Sequence, residues 1–138
     1  MACSNCGEES TIDAAVPDEY REYAPDAADA VTICPSCLTV DPRQATGTGD
    51  HDVDRDPNFS HISDAFPKGV DRAVPLALAI DRCDSLATNR EAIETLLRAV
   101  ERAGTDPLLV IDRLAADPSI EPANDLDRRR HQLEQLLY

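Results

Sequence analysis

Residues 88–104 read TNREAIETLLRAVERAG, and this stretch decides the second half of the fold. Ile93, Leu96, Leu97 and Val100 recur at the spacing that lines one face of a helix. Thr88-Asn89-Arg90-Glu91 has the pattern of a capping box, with a hydroxyl at the N-cap and a carboxylate three residues on, so the helix is expected to start at Thr88. Gly104 ends it, because glycine reaches the left-handed conformation of a helix C-terminus without steric cost.

Working outward, a third helix follows Thr105 with Pro107 in its first turn, runs through LLVIDRLAA and stops at Asp117-Pro118. A fourth follows Asn124 and carries Leu126, Leu133, Leu136 and Leu137. Upstream, SHISDAF at 60–66 reads as a short turn, and a first full helix is expected near Val70 to Leu86. Its apolar face would hold Leu76, Ile80, Cys83 and Ala87. Connections this short make neighbouring helices pack antiparallel or at steep angles. Residues 59–138 are therefore predicted to form a bundle of about four helices.

Residues 42–58, PRQATGTGDHDVDRDPN, combine Pro, Gly, Thr and Asp with almost no apolar content and read as an acidic linker or long loop. The Asp-rich run at 50–56 lacks the glycine and terminal glutamate of a calcium loop. Residues 1–41 read differently again. Thr11 to Val16 and Ala30 to Ile33 are short strand candidates, and the PDEYREYAPDAADA between them reads as a turn of helix and a loop bracketed by Pro17 and Pro25. The expected class is α+β: a small N-terminal ribbon of short antiparallel strands, then the helical bundle.

The ribbon holds the chemistry. Cys3-Ser4-Asn5-Cys6 and Cys34-Pro35-Ser36-Cys37 are two C-x-x-C pairs separated by 27 residues. Two intervening residues let one tight turn present two sulfurs to a cation ~2.3 Å away, and two such turns complete the tetrahedron of a closed zinc site. Gly7, directly after the first pair, accepts the positive φ that such a turn requires, whereas Leu38 in the matching place makes the second turn less regular. The gap is longer than usual, but loop-closure entropy grows slowly with length. The metal ligands are thus Cys3, Cys6, Cys34 and Cys37, with Zn2+ as cofactor and iron as the alternative metal. Two disulfides or unliganded thiols are the competing readings. A reducing cytosol disfavours disulfides, and a ribbon this poor in apolar side chains has little besides metal to fold it. Four thiolates leave zinc no open position for water, so its role is structural.

Composition narrows the rest. Hydrophobic residues make up 42% of the 138-residue chain but aromatics only 4%, with no tryptophan, so the core is aliphatic and favours close helix packing. The formal charge is -14, and the basic residues are twelve arginines and one lysine, Lys68. Acidic surfaces of this kind suit molar salt, where a Debye length of ~3 Å screens their repulsion, so the pattern reads as halophilic. The ribbon itself holds nine acids and one base, Arg21. Nucleic-acid binding through it is disfavoured, because phosphate contacts depend on Lys and Arg releasing counterions. No membrane span and no targeting stretch is visible, which points to a cytoplasmic protein.

Other reactive residues read as structural. Cys83 on an apolar helix side is a small buried hydrophobe, and His51, His61 and His131 are scattered. Arg128-Arg129-Arg130-His131 is the sole basic cluster, read as a solvated helix face pairing with Asp125, Asp127 and Glu134.

The C-x-x-C-G and C-P-x-C pairs, Arg21-Glu22-Tyr23-Ala24-Pro25, SDAFP at 63–67 and the C-terminal RRRHQLEQLL together resemble a family of small haloarchaeal zinc-ribbon proteins of unknown function. The resemblance spans nearly the whole chain and implies zinc at the four cysteines, with no activity or substrate attached.

The expected function is non-enzymatic: structural zinc fixes the ribbon, and the helical part meets another protein or a second copy. No nucleophile–base pair, phosphate-cradling glycine loop or small-molecule substrate is evident in the sequence. The alternative is a transcription- or nucleic-acid-associated regulator using the helical arginines, since residues 71–138 hold nine bases against thirteen acids.

Overall fold

The computed structural model describes residues 7, 11–43, 59–121 and 125–137, apart from the side chains of Arg43 and Asp84. It is an α+β fold in which a three-stranded antiparallel sheet precedes four helices.

The sheet runs in the order β1 (Ile12–Ala15), β2 (Ala30–Ile33), β3 (Val40–Arg43). Its register sorts the sequence by face. Ile12, Ile33 and Val40 stand opposite one another, as do Ala14, Val31 and Pro42, while Asp13, Thr32 and Asp41 form the row between them. Side chains alternate between faces along a strand, so the apolar rows share one face and the acidic row takes the other. Thr32 Oγ1 donates to Asp13 Oδ1 across the β1–β2 pair (2.8 Å), which satisfies the one buried polar residue of the sheet. Pro42 has no N–H to give a ladder and sits on an edge strand, where none is demanded of it. The expected strands hold, with Thr11 and Val16 trimmed from the first. The unexpected one, β3, carries sheet structure two residues into the segment read as linker; residues 44–58 of that segment lie outside the described residues.

Between β1 and β2 the chain makes two 3-10 turns, Asp18–Tyr23 and Pro25–Ala27, in place of the single helical turn expected. A further 3-10 turn, Phe59–His61, buries Phe59 against Phe66 with ring centroids 6.1 Å apart.

The helices are α1 (Val70–Arg82), α2 (Leu86–Arg102), α3 (Pro107–Ala116) and α4 (Leu126–Leu137). Ala73 to Ile80 of α1 are all buried, and the helix packs on α2 on one side and on β1 and β3 on the other. A helix covered nearly all round needs small residues where neighbours approach closely, and its alanines at 73, 77 and 79 supply them. Its core side chains, those of the sheet's apolar face and those of α2 to α4 belong to one continuous buried cluster.

The expected face of α2 is the observed one: Ile93, Leu96, Leu97 and Val100 are completely buried. Its start is not. The helix begins at Leu86, and neither Thr88 nor Ser85 caps it with a side chain. The α1–α2 corner decides this. The chain leaves α1 through a 3-10 turn at Cys83–Ser85, and Ser85, at φ -134 and ψ 63, breaks the helical run just before Leu86. Asn89 is held at that corner, donating to the Arg82 carbonyl (3.2 Å) and accepting from Arg82 Nη1 (3.2 Å). The same 3-10 turn ends α1 at Arg82, before the expected Leu86, and shifts the helical phase so that Ala87, expected inside, is exposed.

Gly104 does end α2, with φ +100. Thr105 N–H donates to the Val100 carbonyl and Gly104 N–H to that of Glu101, the paired bonds of a Schellman motif. Asp106 then caps α3, its carboxylate accepting from the N–H groups of Leu108 (3.1 Å) and Leu109 (3.2 Å), and Pro107 occupies the first turn. The helix stops at Asp117 as expected. In α4, Leu126, Leu133 and Leu137 are buried and Leu136 is partly so.

Candidate metal centre

β2 and β3 are joined by a turn that starts at Cys34 and contains Cys37. Antiparallel pairing fixes its ends: Cys34 N–H donates to the Thr39 carbonyl (3.0 Å), and Leu38 N–H donates back to the Cys34 carbonyl (3.0 Å). The interior N–H groups turn toward sulfur. Ser36 N–H and Cys37 N–H both donate to Cys34 Sγ, at 3.4 and 3.5 Å. Cys37 Sγ lies 3.0 Å from Thr39 Oγ1. Both cysteines are buried, 1% and 3% exposed, and pack against each other in a cluster separate from the main core.

This donor set suits a thiolate. A neutral thiol is a weak acceptor, whereas a sulfur that carries charge gains from every N–H aimed at it. Two backbone donors fall on one buried sulfur with a second sulfur beside it, an arrangement that could supply two ligands to a soft cation; no group of three or more His, Cys, Asp or Glu able to hold a metal is found among the described residues. Among the described residues Cys34, Cys37 and Cys83 form no disulfide with one another. Cys3 and Cys6, the other half of the expected quartet, lie outside the described residues.

The turn corrects one expectation. Leu38 takes φ +65, the left-handed conformation that Gly7 takes at +80 in the equivalent place after the first pair. Leu38 thus takes the left-handed conformation despite its side chain, in a region costing roughly 1–2 kcal/mol for a residue with a Cβ. Burial of the Leu38 side chain, 4% exposed, offsets that, since burying a leucine contributes roughly 1.5–3 kcal/mol.

Hydrogen bonds among the described residues tie this region to the helices. Glu121 N–H, in the α3–α4 connection, donates to the Ser36 carbonyl inside the turn (2.8 Å). Asp81 of α1 accepts from Val40 N–H at the start of β3 (3.1 Å). Arg82 Nε and Nη2 both donate to the Tyr23 carbonyl. Sequence reading missed these partners. Arg82 and Asp81 at the polar end of an apolar helix were the available signal; the backbone contact of Glu121 left none.

The other candidates fall as structural residues. Cys83 is 1% exposed and its Sγ donates to the Ala79 carbonyl (3.2 Å), so it behaves as a small core residue. His61 and His131 are exposed and apart, and His51 with the Asp-rich 50–56 run lies outside the described residues. In the basic cluster Arg130 is committed, with Asp112 of α3 (2.7 Å) and Glu134 of its own helix, while Arg129 donates to Gln132 (2.9 Å) and Arg128 is exposed. The expected i,i+4 partner is present, and the link to Asp112 adds a tie between α3 and α4. No helix among the described residues is long and apolar enough to cross a membrane.

The chain belongs to a family of unknown function, DUF6276, whose model matches residues 2–137. No curated protein and no solved structure matches it.

Proposed function

We propose that this member of DUF6276 is a non-enzymatic zinc protein: Cys3, Cys6, Cys34 and Cys37 hold a structural zinc, and the helical bundle presents a surface to another protein or to a second copy. The observation that carries the reading is the turn at Cys34–Leu38, with two N–H groups on one buried sulfur and a left-handed residue after the second cysteine. Gly7 repeats that left-handed residue after the first pair. Four thiolates fill a zinc tetrahedron and leave no position for a reacting water, which favours a structural over a catalytic role.

The adaptor role draws support from the way the cysteine turn meets the helices. Through the Ser36–Glu121 bond, the metal site would set the position of the α3–α4 connection. Leu109 stands 48% exposed on α3, a large apolar side chain facing outward. The alternative, a nucleic-acid regulator using Arg128, Arg129 and Arg130, loses Arg130 to its two carboxylate partners. The charge of -14 fits a haloarchaeal cytoplasm at molar salt.

Size-exclusion and affinity capture at molar KCl test the proposal. The expected result is self-association, or a reproducible complex, that is lost on chelation and in Leu109→Asp. A strictly monomeric protein without a reproducible partner contradicts it. Nucleic-acid binding that vanishes in an Arg128/Arg129/Arg130 triple alanine variant would transfer the function to the alternative.

A further inference from the structure

A groove of about 540 Å³ lies where the first turns of α2 meet one side of α4. Its polar lining is Ser85, Thr88, Arg90, Arg129, Gln132 and Gln135. No carboxylate is found among the described lining residues, in a chain with 27 acids and 13 Lys and Arg. The contrast with its neighbour is direct: a second groove, on the other side of the same helix end, is lined by Glu22 and Glu91 and has no basic residue among those described. Charge is therefore sorted across α2, with its two arginine-bearing elements converging on one side.

The arginines are available. Among the described residues neither Arg90 nor Arg129 takes part in an ion pair with a carboxylate, whereas Arg21, Arg98 and Arg130 do. Arg129 spends one N–H on Gln132 Oε1 (2.9 Å), a bond that orients its guanidinium and leaves the Gln132 amide NH2 as a further donor. Thr88, which makes no cap, instead lines the groove, and the positive end of the 17-residue α2 dipole lies beside it.

We infer that this groove binds a small organic phosphate, held by Arg90 and Arg129 through its phosphoryl oxygens. Guanidinium forks match such oxygens in geometry and charge. Inorganic phosphate alone would occupy little of a volume that lies in the usual range for small-molecule sites, ~300–1,000 Å³. Gln132, Gln135, Ser85 and Thr88 also line the groove and bring amide and hydroxyl groups that can hydrogen-bond the organic part. The site is separate from the cysteine turn and stands independently of the adaptor reading.

Calorimetric titration of the full-length, metal-loaded protein with AMP and with inorganic phosphate, at fixed ionic strength, tests it. AMP is expected to bind saturably and several-fold more tightly than inorganic phosphate. Arg90→Ala, an exposed change that leaves the core alone, and Arg129→Ala are each expected to weaken AMP binding about tenfold, the usual scale for a lost charge-assisted bond. Arg128→Ala, adjacent but outside the groove, should leave it unchanged. No saturable binding, equal affinity for the two anions, or an Arg128→Ala loss matching that of Arg90→Ala overturns the inference. Amide shifts from AMP outside the first turns of α2 and the exposed side of α4 do the same.

Discussion

The sheet and the helices bury their side chains with unequal means. From residue 12 to 40 the buried apolar residues are mostly alanine and valine, with Ile12, Ile33 and Leu38 the only large ones, and two buried cysteines stand apart from the main core. The helices bury Leu76, Leu78, Ile80, Ile93, Leu96, Leu97, Ile111, Leu114 and Leu133 almost completely. Since burial stabilises by roughly 25 cal/mol per Å², the helical half holds most of the hydrophobic stabilisation. Three four-residue strands bury little of their own and share the helices' core, so the zinc cross-link proposed at the cysteine turn would matter most on this side of the molecule.

Metal removal should expose this contrast most strongly. Zinc binding contributes ~10–16 kcal/mol in small thiolate sites, so chelation, or Cys37→Ser, is expected to abolish amide-exchange protection in β2 and β3. Protection in α2 and α3 should fall but persist. Equal protection with and without chelator would mean that the sheet stands on its own packing.

The converse is a core truncation on the helical side. Ile111→Ala, at a fully buried position, should cost roughly 2–5 kcal/mol by denaturant unfolding and leave the metal content of the native protein unchanged. Metal loss in that variant would show that the two halves do not divide the work as argued.

Smaller effects are expected at the cysteine turn. Leu38→Ala loses the buried side chain and keeps the left-handed strain, while Leu38→Gly loses the side chain and relieves it. Both should destabilise, with the glycine variant the more stable of the two by about 1 kcal/mol. The reverse order would show that φ +65 is not maintained in solution. At the scale of helix ends, Asp106→Ala should cost roughly 0.5–2 kcal/mol because its carboxylate caps α3. Thr88→Ala should stay within about 0.5 kcal/mol because no cap is there to lose. Equal costs would restore the capping box.

Local rules read most of the helical half from the sequence. The buried face of α2, the Gly104 stop and the Pro107 entry each depend on residues a turn or two apart, and each appears as expected. The start of α2 depends instead on Arg82 and Asn89 meeting across a corner, so a plausible capping box gave way to tertiary contact. β3 went unread because Val40 to Arg43 contains a proline and an arginine, and only its place opposite β2 makes it a strand. At Cys34–Cys37, spacing alone identified the turn. It gave no sign that Leu38 would adopt a glycine's conformation, because the burial offsetting that strain comes from neighbours far along the chain. The arginine groove was illegible for a similar reason: Arg90 and Arg129 lie on helices that only the packing of α2 on α4 brings together.

The zinc site we propose is a closed set of four thiolates, half of them supplied by Cys34 and Cys37. X-ray absorption at the metal edge of the purified full-length protein tests it most directly. One zinc per chain is expected, with four sulfur neighbours at ~2.3 Å and no oxygen or nitrogen in the inner shell. Iron in place of zinc, a mixed shell of sulfur with oxygen or nitrogen, or no stoichiometric metal would contradict it.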